Sequence, residues 1–125
     1  EDYGVTIWGR GIVDHHPGHK PLEHVPRHEH EGWYLGITHG YYVDRGAEML
    51  SSLITPNEIE ASQLDYLALG HVHVFSSMQH GKTVAAYPGS PNLAQGAKEM
   101  SVALVDLDPE QGISVEKISL SPGAA

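Results

Sequence analysis

The chain has 125 residues, 40% of them hydrophobic and 18% charged, a composition typical of one globular domain with its own core. Its formal net charge of −9 argues against an extended basic surface for nucleic acid, although a partner could still supply one. The chain has no cysteine, so disulfides and thiolate metal sites are excluded, and any metal must be held by histidine or by oxygen ligands.

Membrane and export signals are also missing from the sequence. No apolar run approaches the roughly 20 residues of a membrane span, and the first residues, EDYG, lack the basic and apolar regions of a secretory leader. We therefore expect a cytoplasmic protein with no membrane partner.

The first predicted strand is VTIWGRGIV, residues 5–13, which is rich in strand-forming residue types. Residues 14–32 contain three prolines and follow neither the strand period nor the helix period, so they predict a long loop. Loops longer than about 12–15 residues are uncommon unless they are functional or act as linkers. This loop carries six histidines: His15, His16, His19, His24, His28 and His30.

A strand–helix–strand unit follows the loop. Residues 33–40 are apolar almost throughout, which predicts a second strand that is buried on both faces of a sheet. Thr55, Pro56 and Glu58 predict the start of a helix, with an N-cap, a proline in the first turn and a capping-box acid. The helix leads into a third strand at residues 65–70, and this order predicts a parallel βαβ unit.

The rest of the chain predicts two β-hairpins. One has its turn at residues 80–82, and the other has the sequence DPEQG, residues 108–112, at its turn. With the βαβ unit, these hairpins predict an α/β fold with a mixed sheet and one or two helices.

Histidines stand where two of these strands end. LGHVH places His71 and His73 after the third strand, and ITHG places His39 after the second. On extended backbone His71 and His73 would point to the same side, and the carboxyl ends of parallel strands meet at one edge of a sheet. We therefore expect the three imidazoles to converge on a metal, which could be Zn, Mn, Fe, Co or Ni.

ITHG and LGHVH together resemble the last two metal-binding motifs of the calcineurin-like metallophosphoesterase superfamily. YPGSP and SVALVDLD are similar to its branch of DNA-repair exonuclease subunits and related bacterial phosphohydrolases. The resemblance implies an αββα sandwich in which two sheets face each other. It implies a pair of divalent ions (Mn, Fe or Zn), one bound by His39 and His71 and the other by His73, that hydrolyse a phosphoester with a metal-activated water. It also places Ser90 near the substrate.

The superfamily's Gly-Asp-X-X-Asp and Gly-Asn-His motifs do not occur in this sequence, and no Asp-X-His lies in an amino-terminal strand; the triplet Asp14-His15-His16 falls in the predicted long loop. By this resemblance, residues 1–125 are expected to be the carboxyl-terminal part of a single metallophosphoesterase domain, to contain no catalytic residue and to be inactive alone. The expected partners are a phosphoester substrate, for example a nucleotide or nucleic acid, and either a missing amino-terminal half or a second copy. Without such a partner, apolar strand faces would be uncovered.

Two other functions stay open at this point. A catalytically silent binding or assembly module could keep the fold and a partial histidine site, and a single-metal carrier could use the same three histidines. The loop of residues 15–30 could bind metal by itself, form a rim over the site, or be a solvent-exposed segment that gains charge between about pH 8 and 5.

Overall fold

A computed structural model describes residues 3–16, 18–44, 52–93 and 97–120. In chain order the elements of these residues are β1 (Val5–Arg10), β2 (Trp33–His39), β3 (Tyr41–Tyr42), β4 (Leu53–Ile54), α1 (Pro56–Ser62), β5 (Tyr66–Gly70), β6 (Ser76–His80), β7 (Thr83–Tyr87), β8 (Met100–Asp108) and β9 (Gly112–Leu120). The predicted mixed α/β class is confirmed, with a core made mostly of sheet.

The main sheet has five strands in the order β1-β2-β5-β7-β6. The first four strands of this order run parallel, and β6 is antiparallel to β7 at one edge. The predicted βαβ unit is therefore confirmed, because β2 and β5 are parallel neighbours and α1 lies between them in sequence. In this register His39 pairs with Gly70, so β2 and β5 end side by side.

The helix start has the predicted capping arrangement. The Thr55 Oγ1 atom accepts a hydrogen bond of 3.3 Å from the Glu58 backbone N–H and donates one of 2.8 Å to the Glu58 carboxylate. Pro56 occupies the first turn, where its missing N–H has no intrahelical partner to lose. The helix ends at Ser62, and the left-handed backbone of Gln63 (φ 56°) caps it.

The core lies on the side of the main sheet that α1 covers. Tyr34 of β2 helps to fix it, because its backbone N–H donates 2.8 Å to the Asp65 carboxylate and its hydroxyl donates 2.8 Å to the Pro26 carbonyl. The buried residues that form the core cluster are Leu22, Tyr34, Ile54, Ile59, Leu64, Leu67, Leu69, Ala85 and Tyr87. Because Leu22 belongs to the cluster, part of the long loop packs on this core.

The opposite side of the main sheet is only partly covered by the described residues. Ile7 is 64% exposed and Ile37 55% exposed, while Ala103 and Val105 of β8 line a cleft of about 740 Å³ beside Ala68. The prediction that β2 is buried on both faces is thus wrong: its residues alternate, with one buried side and one more open side. The apolar run reflects a face that the other described elements cover only in part.

The remaining boundaries follow the sequence closely. Both predicted hairpins form, β6–β7 and β8–β9, with turns at the expected residues. The first strand ends at Arg10 rather than at residue 13, and the described residues of the loop contain no strand or helix. Within the described ranges, no helical segment reaches the length and apolar character needed to cross a bilayer.

Candidate metal centre

Two of the predicted histidines meet at the carboxyl edge of the main sheet. The His71 Nδ1 atom lies 3.3 Å from the His39 Nε2 atom, and the two ring planes are nearly perpendicular at 81°. His39 ends β2, and His71 follows the neighbouring strand β5 directly. The pairing of these two parallel strands therefore brings together residues that lie far apart in sequence.

Gly70 leaves the space that the His39 ring occupies. A Cβ atom built on Gly70 would lie 3.0 Å from His39 Nδ1, closer than about nine in ten real Cβ contacts. Glycine at this position, the first letter of the GHVH motif, therefore leaves room for the imidazole of His39, its partner on the neighbouring strand.

The backbone changes direction at His71. β5 ends at Gly70, and His71 has a φ of 122°, a backbone conformation that residues other than glycine rarely adopt. The expectation that His71 and His73 share one face of an extended strand is therefore wrong, since the chain has left the strand at His71. Such backbone costs about 1–3 kcal/mol and clusters at functional sites.

A third imidazole joins the pair from the long loop. His15, His39 and His71 each offer a nitrogen, and these ligand atoms all lie within 4.8 Å of one another. The His15 ring centroid is 5.9 Å from that of His39 and 6.1 Å from that of His71. The sequence placed His15 only in a separate histidine cluster, because a loop has no period from which a long-range contact can be read.

His73 is close enough to act electrostatically on the site but does not belong to this group of three. Burial lowers the pKa of His39, and the charges of His71, His15 and His73 lower it further. Burial also lowers the pKa of His71, and the charges of His15 and His73 lower it further. Both shifts favour the neutral imidazole, which is the form that binds a metal.

The donor set fits a divalent transition metal. Two imidazole nitrogens on one tetrahedral zinc, each about 2.0–2.1 Å from the ion, are separated by roughly 3.3–3.4 Å. The distance from His39 Nε2 to His71 Nδ1 is 3.3 Å, so these two nitrogens already have the separation of a chelating pair. A set made only of imidazoles suits Zn, Cu, Fe and Ni and does not select among them.

The sequence of the chain also matches a family of known proteins. The family model of the calcineurin-like phosphoesterase superfamily domain matches residues 9–110. The chain belongs to the calcineurin-like phosphoesterase superfamily. No curated protein matches the sequence. Membership in the superfamily confirms the resemblance read from ITHG and LGHVH; the DNA-repair-exonuclease branch and the carboxyl-terminal-half assignment stay predictions.

The superfamily typically uses divalent metals, and in the described part of the chain no carboxylate joins the histidine group. Among the described residues, the group able to hold an ion consists of three histidines and includes no aspartate or glutamate. The Tyr41 ring stands edge-on to His71, with centroids 5.9 Å apart, and so lines the same site. The two-metal arrangement expected from the resemblance is therefore not assembled by these residues alone.

Ser90, the predicted substrate contact, lies in the turn after β7 and is 8% exposed. Its hydroxyl donates 3.4 Å to the Asn92 side-chain carbonyl and accepts 3.3 Å from the Asn92 backbone N–H. Its carbonyl accepts a hydrogen bond from Ser101 N–H, at the start of the β8–β9 hairpin. In this structure Ser90 fixes the turn, and a role in substrate binding stays a prediction.

Proposed function

We propose that this chain is part of a metal-dependent phosphoesterase. The observation that carries the proposal is the His39–His71 pair, two imidazole nitrogens 3.3 Å apart at the carboxyl edge of the sheet, in a chain of the calcineurin-like phosphoesterase superfamily. Ligands in open α/β sheets gather at this edge. A site of this kind serves hydrolysis of a phosphodiester or phosphomonoester.

In the proposed reaction, His39, His71 and His73 hold divalent ions, of which Mn, Fe and Zn are the candidates. When bound, such ions activate water and offset the negative charge of the phosphoryl oxygens. The chain itself has a formal net charge of −9, which repels an anionic phosphoester. Neutral imidazoles bind the ions without adding to that charge, so the bound cations retain their attraction for phosphate.

We further propose that residues outside this chain complete the site. A two-metal hydrolytic centre needs more ligands than three imidazoles, usually including a bridging carboxylate. The chain is then the carboxyl-terminal part of the catalytic domain and has no turnover alone. A nucleotide or nucleic acid would be one substrate class, and the parent protein would be cytoplasmic.

The open side of the main sheet supports a partner for this part of the domain. Val5, Ile7 and Ile37 lie on it with 37%, 64% and 55% of their surface exposed. An apolar face of this kind is covered in stable proteins by another apolar layer. The proposed cover is a second sheet, from the rest of the same domain or from a second copy.

The test is manganese-supported hydrolysis of a chromogenic phosphodiester by the parent protein and by its His71→Ala variant. The expected loss is at least the roughly 10–100-fold that follows removal of a residue supporting a metal. His19→Ala, a change in the long loop outside the group of three, serves as the control and keeps activity. Equal activity of the wild type and His71→Ala would contradict the proposal.

A catalytically silent binding or assembly module is the second candidate. It is favoured by the absence of carboxylates from the histidine group of the described residues. This module predicts metal binding without hydrolysis by the parent protein, even with manganese in excess. The same assay therefore separates the two functions.

A further inference from the structure

The long loop carries His15 to the metal site, although none of the motifs that resemble the superfamily includes this residue. The centroid of the His15 ring lies 5.9 Å from that of the His39 ring and 6.1 Å from that of the His71 ring. An exposed histidine on a loop of irregular backbone has many other positions open to it. Its place beside two strand ends thus needs a structural cause.

One cause is a buried hydrogen bond made by Ser52. The Ser52 hydroxyl, on a residue that is 1% exposed, donates 2.7 Å to the carbonyl of Asp14, the neighbour of His15. The Ser52 carbonyl accepts 2.7 Å from the N–H of Tyr41, which follows shortly after His39. Ser52 therefore fixes the backbone next to His15 against the backbone next to His39.

A second attachment holds the loop on the other side of His15. The Arg10 guanidinium donates to two loop carbonyls, 3.2 Å to Lys20 and 3.0 Å to Glu23. The segment that carries His15 is thus attached to Ser52 on one side of the histidine and to Arg10 of β1 on the other. Much of the entropy that a loop ligand would lose on binding has already been lost on folding.

We propose that His15 is a metal ligand that acts with His39 and His71, and that Ser52 is the residue that positions it. The three nitrogens already lie within 4.8 Å of one another, so binding needs only a small contraction of the group. Three imidazoles with one open position are a common ligand set for a single divalent transition ion. The proposal rests on the proposed function in so far as it places the same metal site.

The other loop histidines provide matched controls. The His16 Nδ1 atom accepts 2.9 Å from Gly18 N–H, and the His28 ring stacks on Tyr34 with centroids 4.5 Å apart. Neither residue belongs to the group able to hold an ion. His16→Ala removes the imidazole next to His15 and leaves the proposed ligand in place.

The experiment is a cobalt(II) titration of the chain, followed by visible absorption, with a chelator present to suppress weak binding to the other histidines. The wild type should bind one ion with the absorption of a cobalt–imidazole site. His15→Ala should weaken binding by at least about 10–100-fold and change the spectrum. His16→Ala should match the wild type in both respects.

A double-mutant cycle tests Ser52. If Ser52 positions His15, its effect on cobalt binding depends on His15, whereas a purely structural role gives the same effect with and without His15. Ser52→Ala should weaken cobalt binding by about 10-fold in the wild type and have little further effect when His15 is already alanine. Far-ultraviolet circular dichroism of each variant checks that it is folded. Equal, additive losses in the two backgrounds would overturn the positioning role.

His15→Ala or His15→Gln with wild-type cobalt affinity and spectrum would overturn the ligand assignment. That result would leave the dependence of hydrolysis on His71 untouched. Failure of the wild type to bind cobalt would contradict the metal site itself, and with it the proposed function. The two failures are therefore distinguishable.

Discussion

The Tyr87 hydroxyl donates a hydrogen bond of 2.6 Å to the carbonyl of Gly40, the residue directly after His39. The same hydroxyl accepts one of 2.9 Å from the Tyr42 backbone N–H. Tyr87 is 2% exposed and ends β7, two strands away from β2 in the sheet. One buried phenol thereby fixes the chain just after a candidate metal ligand.

Removal of this hydroxyl should destabilise the fold. Tyr87→Phe keeps the ring but leaves the Gly40 carbonyl and the Tyr42 N–H without their partner, and a buried unsatisfied group costs about 1–3 kcal/mol. Urea denaturation should show a free energy of unfolding that is lower by about that amount. Tyr3→Phe is the control, because Tyr3 is 80% exposed and its change should stay within about 0.5 kcal/mol. Equal effects of the two substitutions would contradict the role assigned to Tyr87.

Stability should fall in alkaline solution. Burial raises the pKa of Tyr87 to about 12, and it also raises the pKa values of Tyr34, Tyr42 and Tyr66 above 10.0. These phenols ionise at a lower pH in the unfolded chain than in the folded one. Their contribution to stability is therefore fully present below about pH 10 and is lost as the pH rises towards the pKa values of the folded state. The free energy of unfolding should decrease in this way between about pH 9 and 12, the range of the tyrosine pKa values. Its slope against pH should be smaller in Tyr87→Phe than in the wild type. An equal slope in wild type and variant would show that Tyr87 does not contribute.

The space left by Gly70 should matter more to the metal than to the fold. In Gly70→Ala the added methyl group meets the His39 imidazole, whose Nδ1 would lie 3.0 Å from it, and so displaces the ring. Zinc affinity, measured by competition with a chelator, should fall by at least about 10-fold. Gly11→Ala should bind zinc normally, since its Cβ meets no atom within 4 Å. Wild-type affinity in Gly70→Ala would contradict the assigned position of His39.

The open apolar face should drive association of the isolated chain. Ile37 is 55% exposed on that face. The substitution Ile37→Ser should therefore reduce the concentration-dependent self-association measured by sedimentation velocity. It should lower the free energy of unfolding by no more than about 1 kcal/mol. Leu104→Ser is the matched control: Leu104 is 58% exposed, but its neighbours Ala103 and Val105, rather than Leu104, line the cleft against the sheet. A wild-type chain that stays monomeric at all concentrations would contradict self-association through this face.

Much of the fold could be predicted from local pattern. The strand at β5, the capped start at Thr55 and the turn at Asp108 each depend on residues close in sequence, and the structure has all three. The approach of His39 and His71 followed from one further rule, that parallel strands end at a common edge. That rule needs only the strand order, which the βαβ pattern supplies.

Features that depend on distant contacts could not be predicted in this way. The place of His15 depends on a hydrogen bond between Ser52 and Asp14, and two residues this far apart leave no periodic signal. The two-residue strands β3 and β4 are too short to show alternation. The backbone leaves the strand at His71, where φ is 122°, so the expectation of extended geometry was wrong there.

The central claim is that His39 and His71 form a metal site, and calorimetric titration of the chain with zinc and manganese tests it most directly. We predict binding of one ion per chain in the wild type and in His19→Ala, and a loss of at least about 10–100-fold in affinity in both His39→Ala and His71→Ala. His73→Ala in the same titration shows whether His73 contributes to that ion. Wild-type affinity in His39→Ala and His71→Ala, or no binding by the wild type, would contradict the claim.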